Sequence, residues 1–170
     1  DHLGRDATRQ GDQIFNGAYD NASGTAGLLE LGSAFAGVAD QLRRSVVFLA
    51  VTAEEQGLLG SRFYAKQPLY PLAKTVAVIN MDGLNPFGIT RDLTVIGLGQ
   101  STLDDLAHQI AEKRGRVLRP DSEPEKGFYY RSDHFEFAKV GVPAFDPHRG
   151  VEIVGKSEQW GIEMRDRYTN

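Results

Sequence analysis

Apolar and polar positions follow two different rhythms along this chain. Between residues 24 and 38, Leu28, Leu29, Leu31 and Phe35 recur at helical spacing behind Asp20-Asn21-Ala22-Ser23, a run of residue types that cap helix starts. A helix is predicted from near Ser23. Residues 45–52 are continuously apolar and rich in β-branched side chains, the pattern of a strand covered on both faces, so a central parallel strand is predicted there. Residues 58–65 read as a short helix, and residues 75–81 repeat the buried-strand pattern after Pro68 and Pro71. Strand, helix and strand in that order predict a right-handed βαβ unit. A short strand over 93–97 is followed by Ser101 and Asp104, spaced like a capping box. Behind them Leu103, Leu106, Ala107, Ile110 and Ala111 share one helix face. Residues 133–139 predict a short helix leading into Val142-Pro143-Ala144-Phe145, residues 121–126 a polar loop, and after Gly150 the pattern fades. No repeat or linker interrupts the series, which predicts a single α/β layer structure.

Composition narrows the chemistry. The chain has 170 residues, 41% hydrophobic and 25% charged, enough for one ordinary core. Its formal net charge of −4 provides no basic surface for phosphates, so nucleic acid is not an expected partner. With no Cys, thiolate metal sites and cysteine nucleophiles are excluded, and His, Asp and Glu remain as strong ligands. No apolar run reaches the roughly 18 residues of a membrane span.

In open α/β sheets ligands sit beyond the carboxyl ends of strands, so acidic residues just after apolar runs form a natural set. Glu54 and Glu55 follow the run ending at Thr52, Asp82 follows Met81, Asp20 precedes the first helix, and His134 lies in Arg131-Ser132-Asp133-His134. Carboxylates plus an imidazole suit a zinc site without thiolates. Adjacent carboxylates allow two roles, one binding metal while its neighbour takes a proton from metal-held water. Taken singly, each residue has a plainer reading: a solvated Glu-Glu pair, a helix cap at Asp20, a turn at Asp82-Gly83, a structural histidine at His134. Their joint placement at the ends of elements of one sheet favours the common site.

Five segments carry a family resemblance. They are Asp1-His2-Leu3-Gly4, Asn16-Gly17-Ala18-Tyr19-Asp20-Asn21-Ala22-Ser23-Gly24, Thr52-Ala53-Glu54-Glu55-Gln56-Gly57-Leu58-Leu59-Gly60-Ser61, Ile79-Asn80-Met81-Asp82, and Ser132-Asp133-His134 with Gly141-Val142-Pro143-Ala144. In this order the chain resembles the co-catalytic zinc aminopeptidases of the aminopeptidase Y and bacterial leucine aminopeptidase type. The resemblance implies a three-layer α/β fold, its central sheet mostly parallel or mixed, with helices on both faces. It further implies that Asp20 bridges two zinc ions, that Glu55 and His134 complete one site, that Asp82 binds the second zinc, and that Glu54 is the general base. The expected substrates are peptide or protein N-termini, cleaved one residue at a time. Export from the cytoplasm is implied only because many relatives are secreted or periplasmic.

The chain departs from the family pattern at its first residue. Asp1 matches the carboxylate of a His-x-Asp motif, which orients a zinc-binding His two positions earlier, and that His lies before the sequence begins. The expectation is a fragment of one catalytic domain that lacks the first strand and the C-terminal end. The site of Asp20, Glu55 and His134 would then load in preference to one keeping only Asp20 and Asp82, and an exposed sheet edge would favour self-association. Tyr129, Tyr130 and Arg131 are candidate substrate contacts, His108 a solvent-facing side chain, His148 a loop or cleft residue and Trp160 packing. A glutaminyl cyclase-like acyltransferase with one zinc and a non-catalytic interaction domain of the transferrin receptor type are the alternatives that the same resemblance leaves open.

Overall fold

A computed structural model describes residues 3–169. A short antiparallel pair, β1 (Gly4–Arg5) with β2 (Ile14–Phe15), precedes α1 (Ala22–Ala36). Then come α2 (Leu59–Lys66), β3 (Val78–Ile79), β4 (Asp92–Ile96), α3 (Leu103–Lys113), β5 (Val117–Pro120), α4 (His134–Ala138), β6 (Ala144–Arg149) and α5 (Glu158–Thr169). Four strands form a mixed sheet in the order β3-β6-β4-β5. β3 runs parallel to β6 and β4 parallel to β5, while β4 and β6 are antiparallel. The α/β class and the mixed sheet with helices agree with the sequence reading.

β4 carries the core because it is paired on both sides and can bury alternate side chains without losing backbone hydrogen bonds. Val95 is 1% exposed and packs with Ala111 and Leu118, flanked by Leu93, Leu98, Ala107 and Phe145. The small Ala107 and Ala111 let α3 approach the sheet closely. Leu106 and Ile110, predicted on the same face, are instead 56% and 61% exposed, so the buried stripe of α3 is narrower than its apolar stripe.

α1 begins where its cap residues predict. Asn21 is the N-cap, and its side-chain oxygen accepts from the Gly24 backbone N–H at 2.9 Å. The capping-box spacing ahead of α3 works differently. Ser101 Oγ accepts from Leu103 N at 3.2 Å, but Asp104 turns back to accept from Gly99 N at 2.6 Å. β5, the β1–β2 pair and α5 carry no strong period and were not predicted.

The largest departure concerns residues 45–52. Among the described residues this segment joins no β-ladder, and Val46, Val47 and Phe48 are 43%, 49% and 40% exposed. Its apolar, β-branched composition favours a strand, but a strand needs a neighbour to supply hydrogen bonds, and none of the four sheet strands pairs with it. The predicted βαβ unit is therefore not formed as a paired unit. α2 still packs on the end of the segment: a Cβ at Gly60 would collide with the Thr52 backbone. Phe48 meets Phe35 of α1 with ring centroids 5.9 Å apart.

An exposed apolar segment without a ladder partner favours pairing with a second chain. Size-exclusion chromatography at rising protein concentration is expected to show dimers or larger species, and Val47→Lys to shift them to monomer. A wild-type chain that stays monomeric across the same range would count against this.

Candidate functional site

The candidate residues are delivered by loops, and Asn21 holds two of those loops together. Asn21, besides capping α1, donates from Nδ2 to the Met81 carbonyl at 2.9 Å and accepts from Gly83 N at 3.2 Å. Gly24 lies so close to the Met81 carbonyl that a Cβ would collide with it. Tyr19 Oη donates to the Gly83 carbonyl at 3.1 Å, and Leu84 N donates to Ser23 Oγ at 2.9 Å. The start of α1, with Asp20, is thereby fixed to the loop after β3, with Asp82.

Glu54 and Glu55 lie between Thr52 and α2. Ala53 at φ 57° and Leu58 at φ 60° bracket the pair in the left-handed region, which side chains other than glycine enter at a cost. Backbone N–H groups of Gly57 and Leu58 bond to the Glu54 carbonyl at 2.9 and 2.8 Å and hold the turn. Such outliers concentrate where a loop must aim particular side chains.

Electrostatics gathers these loops into one place. The Glu54 carboxyl is pushed up to about 8, first by burial and then by the charges of Asp82, Glu55, Asp133 and Asp20. Four carboxylates from four parts of the chain thus act on one half-buried acid. Asp133 is also raised, chiefly by burial, and its Oδ1 is buried without a hydrogen-bond partner among the described residues. Unbalanced negative charge and an unpaired buried acceptor fit a cation, and hard carboxylate oxygens fit zinc or another divalent ion. Among the described residues, however, no three His, Cys, Asp or Glu side chains converge closely enough to hold a metal. The fit is one of charge and donor chemistry, not of a finished coordination shell.

His134 belongs to a different neighbourhood. Its imidazole is 1% exposed at the start of α4, with Nδ1 3.3 Å from Asp146 Oδ2 and its ring edge-on to Tyr129 at 5.1 Å. Burial lowers its pKa against the opposing pull of Asp146. Asp146 and His148 both lie on β6, with His148 Nε2 3.1 Å from Asp146 Oδ2. Burial opposes both shifts, yet the hydrogen bond between them prevails: Asp146 is held below the usual carboxylate range and His148 above the usual imidazole range. The structure therefore groups His134 with Asp146 and His148, near Asp82. Among the described residues, the expected Asp20, Glu55 and His134 side chains do not converge closely enough to form a metal-holding group.

Tyr129 packs against Gly97, Tyr130, His134 and Phe135, and burial raises its hydroxyl pKa. Tyr130 is 63% exposed, and the Arg131 guanidinium lies over Phe128 at 5.6 Å. These residues form an aromatic wall behind His134. His108 is exposed, as read from its helix face, and Trp160 packs edge-on to Phe87. Asp1 lies outside the described residues. Sequence reasoning missed Asp133 and Asp146 as charges of the site. Asp133 was in view inside its motif, whereas Asp146 sits within a strand and carries no local signal.

Residues 1–168 match the sequence profile of Peptidase family M28, and the chain belongs to that family. Leucine aminopeptidase 2 of Trichophyton equinum is 29% identical over 153 residues, which are 84% of this chain and 30% of that protein. Among solved structures, an aminopeptidase from Aneurinibacillus sp. strain AM-1 superposes with a TM-score of 0.60 at 21% identity, covering 96% of this chain and 44% of its own. A zinc aminopeptidase from Bacillus subtilis gives 0.56 at 27% identity, covering 85% and 35%. The chain thus spans less than half the length of each of these relatives. No described helix is long and apolar enough to cross a membrane.

The raised Glu54 carboxyl has a consequence for stability. An acid whose folded pKa lies near 8 against 4.5 unfolded keeps its proton better in the folded state, so its stabilising contribution is full below about 4.5 and is lost as pH rises through about 8. Metal-free protein is expected to melt at lower temperature at pH 9 than at pH 6, with the slope flattened in Glu54→Gln. An equal slope in wild type and variant would contradict the cluster.

Proposed function

We propose that this chain carries the carboxylate part of a zinc aminopeptidase site, with Asp20, Glu55 and Asp82 as donors and Glu54 as general base. The observation that carries the proposal is the joining of the loops of Asp20 and Asp82 through Asn21, beside a half-buried Glu54 whose proton affinity burial, Asp82, Glu55, Asp133 and Asp20 raise. Membership of a peptidase family and likeness to a protein named a zinc aminopeptidase support the choice of metal and reaction. His134 is proposed as a structural neighbour of Asp146, because its Nδ1 stands 3.3 Å from that carboxylate and, among the described residues, no set of three metal-binding side chains forms around it. Whether one or two ions bind is then a question of how Asp20 is shared between Glu55 and Asp82.

Zinc, when bound, supplies Lewis-acid activation of water and of the scissile carbonyl. The chain's own residues do the rest. A carboxyl whose affinity for protons is raised toward neutral pH is suited to accept the proton that water loses on attacking the carbonyl carbon. It is equally suited to hand that proton to the departing amine as the C–N bond breaks. Acidic neighbours around the base also favour a substrate that presents a positive charge, which a peptide's free α-amino group does.

In a protein carrying this chain, Glu54→Gln is expected to lower hydrolysis of leucine p-nitroanilide by a factor on the order of 10²–10⁴. Its zinc content should be unchanged, since no donor is removed. Wild-type turnover in the variant would remove Glu54 from the reaction. Normal zinc content in a variant with Asp20, Glu55 and Asp82 all replaced by Ala would remove the donor assignment.

A further inference from the structure

Arg149 ends β6, and its guanidinium gathers residues from three other parts of the chain. Its central carbon lies 5.0 Å from the centre of the Tyr19 ring and 5.8 Å from that of Phe87, and its Nη2 donates to the Arg165 carbonyl in α5 at 2.9 Å. Phe87 in turn packs edge-on to Trp160 of α5, with ring centroids 6.1 Å apart. A guanidinium can do all of this at once because it is planar: its faces stack on aromatic rings while the N–H groups at its edge donate. The side chain is only partly exposed, and a cation shielded from water is drawn more strongly to ring faces than one at the surface.

Both rings belong to segments that carry candidate carboxylates. Tyr19 is the neighbour of Asp20, and its Oη donates to the Gly83 carbonyl at 3.1 Å. Gly83, the neighbour of Asp82, stands at φ 65°, and a Cβ there would come within 3.0 Å of the Tyr19 ring. Phe87 lies further along the same loop, where Asn85 Oδ1 accepts from its backbone N–H at 3.0 Å. Asn21 joins the two segments at the backbones of Met81 and Gly83. Arg149 joins them through Tyr19 and Phe87, and adds the tie to α5.

We infer that Arg149 is a positioning residue for the reaction: its guanidinium, stacked with Tyr19 and Phe87 and bonded to α5, sets the Asp20 and Asp82 segments relative to each other. This rests on the proposed function, in which the carboxylates of these segments act together with Glu54. It deepens that reading by extending the machinery to the end of β6 and to α5, elements that carry neither the base nor a proposed donor. The role concerns the placing of two backbone segments, so it shows in metal-free protein as well as in turnover. Misplacing a reacting group by about 1 Å can cost on the order of 10²-fold in rate, so a loosened segment need move only a little to be seen.

The test is a double-mutant cycle of Arg149→Met and Tyr19→Phe in a protein carrying this chain, read by hydrolysis of leucine p-nitroanilide and by amide hydrogen exchange without metal. Arg149→Met is expected to lower kcat about 10-fold while KM changes by less than about twofold. The amides of Gly83 and Leu84, which donate to Asn21 and Ser23, should exchange faster while α3 keeps its protection. Tyr19→Phe keeps the ring but removes the bond to Gly83, and should cost about as much. The double variant should be no slower than the slower single one, because both changes cut one linkage. Arg149→Lys, which keeps a cation beside the rings, should recover part of kcat. Wild-type kcat in Arg149→Met, whether or not its melting temperature falls, would overturn the inference, as would losses that multiply in the double variant or unchanged exchange at Gly83 and Leu84. Wild-type turnover in Glu54→Gln would instead overturn the reading beneath it. Should Arg149→Met fail to fold, the cycle is run with Arg149→Lys: a wild-type kcat or multiplying losses contradict the inference, and a reduced kcat whose losses do not multiply supports it.

Discussion

Like charges repel most strongly where water is scarce, and the loops of this chain bring Asp82, Glu55, Asp133 and Asp20 to bear on a half-buried Glu54. A fold that only had to be stable would place an apolar side chain or a cation there. The repulsion is tolerated because the loops are fixed by groups outside the cluster. Asn21 joins the start of α1 to the turn after β3, and Ser132 and Asn80 join that turn to β6. The cation that would relieve the repulsion is, on the proposal made above, the zinc that the reaction uses, so the same charges that make the metal-free site unfavourable make it selective for a divalent ion.

Much of this was legible in the sequence. The acidic residues identify themselves by following apolar runs, and Asp20-Asn21-Ala22-Ser23 announces the start of α1. The order of segments is that of a metallopeptidase family, and the family match over residues 1–168 agrees. What sequence cannot supply is lateral pairing. Residues 45–52 have the composition of a buried strand, yet whether they become one depends on a neighbour, and they join no ladder among the described residues. Register is hidden for the same reason. That Asn80 faces Asp146 follows from β3 lying beside β6, and no local pattern near either residue encodes it.

His134 shows how a motif can place a backbone well while the partners of its side chain are set by the fold. The helix predicted over residues 133–139 is present as α4, and the histidine stands at its first residue. Its imidazole, however, turns to Asp146 and Tyr129, where burial lowers its proton affinity. The neighbouring Ser132 and Asp133, which look like spacers in the motif, are the residues that reach Asp82 and Glu54.

The carboxylate cluster is the centre of the site, and the most direct measurement of it is the titration of Glu54 itself. Carbon-13 NMR of protein labelled at the glutamate side-chain carboxyls, recorded without metal and then with zinc, reads this group alone once Glu54→Gln identifies its resonance. A midpoint near 8 without metal, falling when zinc is added, is the predicted result. A midpoint near 4.5 that zinc leaves unmoved would contradict it.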